Sequence, residues 1–170
     1  MNLPKRKQIR LPAYDYSTPG AYFVTVCTAD RRCILSTISV GAAISRPPTD
    51  ELVQLTTYGK IVELAISNIP ECYPQISVDN YVIMPNHVHL LLQINTDESG
   101  RLIAAPTLST VIGQMKRWAS KRAGEGLWQK SFHEHVIRND EDYSAIWEYI
   151  DTNPVKWTLD RYFVDAERIG

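Results

Sequence analysis

All four histidines of this chain fall in two His-x-His triplets, His87-Val88-His89 and His133-Glu134-His135. Side chains alternate along a strand, so residues two apart share a face. Two adjacent imidazoles can offer nitrogen lone pairs to one divalent ion. Two donors rarely hold an ion alone, so this chemistry requires a third. Near the C-terminus, Tyr149 is a candidate nucleophile, and Asn153, four residues on, places an amide on the same helical face. An amide oxygen is a neutral ligand suited to a hard divalent ion. Each has a plainer reading: strand histidines without an ion, a surface tyrosine without a task, an asparagine that only terminates a helix. Tyr143 competes as nucleophile but lies in an apolar stripe. Tyr162 lies in a tail with no assigned element.

The elements that must position these groups follow from periodicity. Ala21 to Thr28 is rich in β-branched and aromatic residues and follows Pro19-Gly20, which predicts a strand. Thr56 to Ile69 places Tyr58, Val62, Ala65 and Ile69 at helical spacing, with Pro70 as its stop. Ile76 to Met84 reads as a strand, Pro85-Asn86 as a tight turn, and His87 to Ile94 as a second strand. On that strand Val88, Leu90, Leu92 and Ile94 form a core face, and His87 and His89 point the other way. Asn95 to Pro106 is a polar loop. Leu108, Val111, Ile112, Met115, Trp118 and Ala119 form an amphipathic stripe ending near Gly124. Leu127 to Arg138 is expected as a last strand and Asn139 to Asn153 as a further helix, capped by Asn139 or Asp140. In that helix Tyr143, Ile146, Trp147 and Ile150 make the buried stripe. Tyr149 lies about 120° away from it, and Pro154 should disfavour helical geometry at Asn153.

Strand, helix, two hairpin strands, helix, strand is the βαββαβ order of a ferredoxin-like α+β fold, one antiparallel sheet with helices on one face. The further helix at 139–154 would be an addition to it. The length, 170 residues, suits a single domain spanning 1–170. Residues 29–55 interrupt the pattern as an insertion, hairpin-like around Pro47-Pro48, and Ser39 to Leu55 within it matches nothing assignable.

Charge and composition narrow the classes. There are 18 basic and 19 acidic residues, a net charge of −1, but they are segregated. Residues 1–20 form a basic N-terminal arm with Lys5, Arg6, Lys7 and Arg10. Lys116, Arg117, Lys121 and Arg122 crowd the second main helix, and residues 139–153 carry only acids. Local clusters matter more for phosphate binding than the total. Each cluster could equally be solvated surface; two of them beside a metal site favour nucleic acid. Three cysteines, Cys27, Cys33 and Cys72, argue against a disulfide framework and fit a reducing cytosol. No apolar run approaches the roughly 20 residues of a membrane span, and the N-terminus lacks the apolar stretch of a signal peptide.

The run Tyr81-Val82-Ile83-Met84-Pro85-Asn86-His87-Val88-His89-Leu90-Leu91 resembles the HUH motif (His, hydrophobe, His) of single-tyrosine transposases. Trp147-Glu148-Tyr149-Ile150-Asp151-Thr152-Asn153-Pro154 resembles their catalytic helix. Leu11 to Tyr16, Gly20 to Thr25 and Leu127 to His133 are also similar, so the resemblance covers most of the chain. Asn153 followed by proline, where insertion-sequence relatives usually have glutamine, points to the branch associated with repetitive extragenic palindromes, the REP-associated tyrosine transposases.

That resemblance implies His87, His89 and Asn153 as ligands of Mg²⁺ or Mn²⁺, and Tyr149 as the nucleophile. It implies transesterification on single-stranded or hairpin DNA through a 5′-phosphotyrosine. It implies a cytoplasmic, nucleoid-associated protein, monomer or homodimer, that contacts DNA through its two basic clusters. It supplies no general base; Asp142, earlier on a similar face of the helix to Tyr149, is a conceivable one. Two other readings stand beside it. One is a catalytically inactive or domesticated nucleic-acid-binding domain of the same fold. The other joins all four histidines around a tetrahedral zinc, which requires the two His-x-His strands to be neighbours. The resemblance transfers no role to His133 and His135, which could contact substrate phosphate, pack structurally or make a second metal site.

Overall fold

The structure is a computed structural model and describes residues 15–39, 52–96 and 106–164. Lys5, Arg6, Lys7 and Arg10, and residues 40–51 of the 29–55 insertion, lie outside the described residues.

Six strands and three α-helices are present among the described residues: β1 (Gly20–Cys27), β2 (Ser36–Ile38), β3 (Val53–Leu55), α1 (Thr57–Cys72), β4 (Ile76–Ile83), β5 (His87–Ile94), α2 (Leu108–Ala123), β6 (His133–Val136) and α3 (Asp140–Thr152). The main sheet has the order β4-β5-β1-β6, with every neighbouring pair antiparallel. With α1 between β1 and β4 and α2 between β5 and β6, this is the expected ferredoxin-like βαββαβ arrangement. The strands β2 and β3 pair with each other as a separate small hairpin within the 29–55 segment.

Strand alternation divides the interior in two. Tyr22, Val24 and Val26 of β1 and Val88, Leu90, Leu92 and Ile94 of β5 are fully buried on one face, against Val62, Ala65, Ile66 and Ile69 of α1 and Leu108, Val111, Ile112 and Met115 of α2. The opposite face carries a smaller cluster: Cys27, Val82, Met84 and Leu91 under Ile150 of α3 and Trp157 and Tyr162 of the chain after it. The first two helices therefore share a face as expected, and α3 covers the other.

Local chemistry sets the element ends. The Thr56 side chain caps α1 by accepting from the Gly59 amide at 3.1 Å. A Cβ on Gly59 would sit 2.0 Å from the Leu35 carbonyl oxygen, so only glycine allows this first turn to approach so closely. Pro70 does not end α1 as expected, because the Tyr73 amide still reaches the Ile69 carbonyl at 2.9 Å and the helix runs to Cys72. Gly124, at φ 76°, ends α2 in the left-handed region.

The last strand is much shorter than the expected Leu127 to Arg138. The carbonyls of Gln129, Lys130 and Ser131 turn toward the Lys116 ammonium, at 2.6, 3.2 and 3.3 Å, rather than into a ladder. Only His133–Val136 pairs with β1, apart from an isolated bridge between Thr28 and Trp128.

Candidate metal centre and nucleophile

The turn at Pro85-Asn86 is buttressed rather than exposed. Thr28 donates its amide to the Asn86 carbonyl at 2.9 Å, and Leu35 donates to Pro85 at 3.0 Å. Asn86 itself is buried. The turn delivers His87 as the first residue of β5, opposite Cys27, and His89 opposite Thr25. Both imidazoles are buried, on the face away from α1 and α2.

Their nitrogens are individually assigned by their neighbours. His87 Nδ1 lies 2.9 Å from Asn86 Oδ1, while the Asn86 amide nitrogen donates to the Tyr162 carbonyl at 2.8 Å. An amide oxygen only accepts, so His87 carries its proton on Nδ1 and presents the Nε2 lone pair. His89 Nδ1 lies 2.9 Å from the Thr25 hydroxyl, and the two Nε2 atoms face each other at 3.1 Å. A hydroxyl can donate or accept; when Thr25 accepts, the His89 Nε2 lone pair is free as well. Two donors each about 2.1 Å from one ion and at a right angle stand about 3 Å apart, which is the separation present here. Burial pushes His87 down to about 4, partly offset by Asp160. Burial, with His87 as a further cause, holds His89 well below the ordinary histidine range. Both rings are therefore neutral near pH 7, the form that ligates metal.

α3 brings the other groups to this face. Asn139 caps it by accepting from the Asp142 amide at 2.7 Å, and three acids occupy its first turn. A bulge between Val78 and Asn80 locally interrupts the register of β4 with β5, and both bulge residues reach α3. Asp79 accepts from the Tyr143 hydroxyl at 2.9 Å, and Asn80 donates to Asp151 at 3.0 Å. With Ile150 buried beneath it, the helix is fixed in rotation. Tyr149 lies beside the histidines, its ring 5.2 Å from His89 and edge-on to Phe23 at 5.9 Å, with 40% of its surface exposed.

Asn153 is buried. Pro154 does not force it out of helical geometry: it keeps φ −57° and ψ −43°, held by its amide to Ile150 and by the following turn. Its Nδ2 donates to Asp160 at 2.9 Å. Its Oδ1 is buried and accepts no hydrogen bond among the described residues. The Asn153 side chain raises the His87 imidazole and lowers the Tyr149 phenol. Two imidazole lone pairs and an unused buried amide oxygen are a donor set that fits a divalent cation. His87, His89 and Asp160 also offer ligand atoms within 4.8 Å of one another.

No family model matches the chain. It is 30% identical to an uncharacterized protein of Haemophilus influenzae over 94% of both chains. It is 30% identical to a putative REP-associated tyrosine transposase of the same organism, over 84% of this chain and 74% of that one. The chain belongs to the REP-associated tyrosine transposase family. A REP-associated tyrosine transposase of Escherichia coli is 28% identical over 83% of this chain and 70% of its own. The fold resembles the solved structure of a REP-associated tyrosine transposase bound to a REP hairpin, with TM-score 0.58 and 23% identity over 89% of this chain and 76% of that one. The branch belongs to the HUH transposases.

Not every candidate of this family member joins the centre. Tyr143 is committed to Asp79, and burial first, then that bond, pushes it up to about 12. Trp147, expected in the buried stripe of α3, is 38% exposed, because only Ile150 of that stripe reaches the sheet fully. Asp142 pairs with His135 at 2.8 Å, two turns before Tyr149, and is not among the groups that act on the Tyr149 phenol. Burial raises that phenol, Asp160 adds to the rise, and Asn153 and Arg161 oppose it.

The four-histidine zinc reading does not hold. Strand β1 separates β5 from β6, so His133 and His135, both exposed, stand about 10 Å from the buried pair. Among the basic candidates, Arg117, Lys121 and Arg122 are exposed on α2, and Arg122 lies over the Trp118 ring at 5.4 Å. Since α2 packs on the other face, this cluster is across the sheet from the histidines, not beside them. Lys116 spends its ammonium on the 129–131 carbonyls.

Sequence reasoning missed Asp160, Thr25 and Asn86. The strand register would have exposed Thr25 as the partner of His89, and Asn86 immediately precedes the first histidine. Asp160 carries no local signal, since it depends on the path of the chain after α3. No helix among the described residues is long and apolar enough to cross a membrane.

Proposed function

We propose that this protein cleaves and rejoins single-stranded DNA at a hairpin, using Tyr149 as nucleophile and a Mg²⁺ or Mn²⁺ ion held by His87, His89 and Asn153. The observation that carries this reading is the convergence of three buried neutral donors beneath a half-exposed phenol. The ion would polarise the scissile phosphate and offset the charge developing on it. The Tyr149 oxygen attacks phosphorus, a new P–O bond forms to tyrosine, and the bond to the 3′ oxygen breaks. The phenol proton is lost to solvent and the departing 3′ oxygen gains one, leaving a 3′-hydroxyl and a 5′-phosphotyrosine. The covalent link retains the phosphodiester energy, so a 3′-hydroxyl can reverse the step and join strands. Phe23 and His89 hold the Tyr149 ring against the sheet, which limits its search for the phosphate. The two basic clusters, Lys5, Arg6, Lys7 and Arg10 and the exposed face of α2, would engage the hairpin backbone with strong salt dependence.

The test is a labelled single-stranded hairpin taken from the DNA flanking the gene, incubated with Mn²⁺. A DNA–protein adduct that survives denaturation is expected, and Tyr149→Phe abolishes it while leaving thermal stability close to that of the parent. An adduct of equal yield in Tyr149→Phe removes Tyr149 from the role. Hairpin binding that ignores chelator and yields no adduct replaces the enzyme with a binding domain.

A further inference from the structure

The three proposed ligands are all neutral, and the site they form is buried. Before DNA binds, a divalent ion placed there would face two imidazoles and an amide, none of which carries a negative charge. Hard cations such as Mg²⁺ and Mn²⁺ are usually bound by one or two carboxylates, with waters and substrate phosphates completing the shell. One carboxylate is in position. Asp160, just after the short 3₁₀ turn Trp157–Leu159, lies within 4.8 Å of the ligand nitrogens of His87 and His89.

Asp160 is also held there by both of its oxygens. Oδ1 accepts the Tyr162 amide at 2.7 Å, and Oδ2 accepts Asn153 Nδ2 at 2.9 Å. An ionised carboxylate can only accept, so the Asn153 amide must turn its nitrogen to Asp160 and its oxygen elsewhere. That oxygen is the buried Oδ1 that accepts no hydrogen bond among the described residues. Tyr162, whose amide fixes the carboxylate, packs its own ring 4.6 Å from that of His87 and is buried. The loop after α3 is thus built onto the histidine pair from the side opposite the strand.

We infer that Asp160 is the anionic member of this metal centre: it orients the Asn153 oxygen toward the histidines and supplies the negative charge that a divalent ion requires. The inference rests on the ion-binding reading of His87, His89 and Asn153. It makes Asp160 a residue of metal affinity, which a binding measurement without DNA reads separately from Tyr149 attack.

The experiment measures Mn²⁺ affinity of the full chain, by calorimetry and by the paramagnetic resonance signal of free Mn²⁺, without DNA. The parent, Asp160→Asn, Asp160→Ala and the double variant His87→Ala with His89→Ala are compared, with circular dichroism to establish folding. Asp160→Asn keeps the shape and an acceptor for Asn153 Nδ2 but loses the charge. About a tenfold or greater loss of affinity is expected in Asp160→Asn, and at least as much in Asp160→Ala, as for partners that orient metal ligands. Parent-like or tighter affinity in folded Asp160→Asn overturns the charge role. Affinity lost in Asp160→Ala but retained in Asp160→Asn likewise overturns it and leaves orientation alone. If the double histidine variant binds as the parent does, or the parent binds no Mn²⁺, the ion-binding reading itself fails, and the inference with it.

Discussion

The two faces of the main sheet are built from the same strands yet hold opposite chemistry. On one, Tyr22, Val24, Val26, Leu90 and Leu92 meet the apolar stripes of α1 and α2 with hardly a polar atom. On the other, one residue away at every step, Thr25, His87 and His89 are equally buried but lie among hydrogen-bond partners. A polar group buried without a partner costs a few kcal/mol. Thr25 and Asn86 satisfy the outer nitrogens of the histidines, which leaves the inner nitrogens for function. The face under α1 and α2 holds the main core, and the face under α3 holds the proposed chemistry. The one-residue alternation of β5 keeps them apart.

Substitutions on each face break or sharpen this contrast. The largest effect on folding should come from Leu90→Ala, fully buried under the helices, which is expected to cost about 3 kcal/mol in denaturant unfolding. It should lower adduct yield only as far as it lowers the folded fraction. A specific loss of activity at full folding would show that the faces are coupled.

Next in size is the metal effect on the other face. Mn²⁺ at about a hundred times its Kd should raise stability by about 2.7 kcal/mol. Removal by chelator should return the melting curve to that of the apoprotein without unfolding it. Unfolding on chelation would mean that the reactive face is also structural.

Asn139→Ala removes the cap of α3 and should cost about 1 kcal/mol. Because α3 carries Tyr149 and Asn153, adduct formation should suffer more than stability does. An equal cap loss at Thr107 of α2 provides the control, checked by paired melting and adduct assays.

The smallest effect concerns the clamp between α3 and the β4 bulge. Tyr143 is raised above its unfolded value to about 12, so its bond to Asp79 contributes below about pH 10 and is lost as pH rises through about 12. Tyr143→Phe should therefore cost about 1 kcal/mol or less at neutral pH. The gap to the parent should close in alkali, as read from unfolding curves across that range. A constant gap would mean that the hydroxyl is not the source.

Much of this was legible in the residues. Alternation in β5 separated Val88 and Leu90 from His87 and His89, and helical spacing put Tyr149 and Asn153 on one face of α3. Those are local repeats, and local repeats survive in any fold that uses the element. What was misread depended on remote neighbours. Leu127 to Arg138 looks like one strand, but the Lys116 ammonium captures three of its carbonyls. Trp147 looks like core, yet only Ile150 of that stripe is buried against the sheet. The basic cluster of α2 looked close to the histidines, and the sheet lies between them.

By itself, then, the sequence determined the βαββαβ order, the face on which each histidine stands and the pairing of a phenol with an amide. The reason is that backbone geometry fixes side-chain direction within an element. Only the tertiary structure decided that α3 crosses the face opposite α1 and α2. It alone separated His133 and His135 from the centre by an intervening strand, and folded Asp160 back onto Asn153. Those outcomes depend on strand register, a bulge at Asp79 and the path of the last loop, which arise from contacts between residues far apart in the chain.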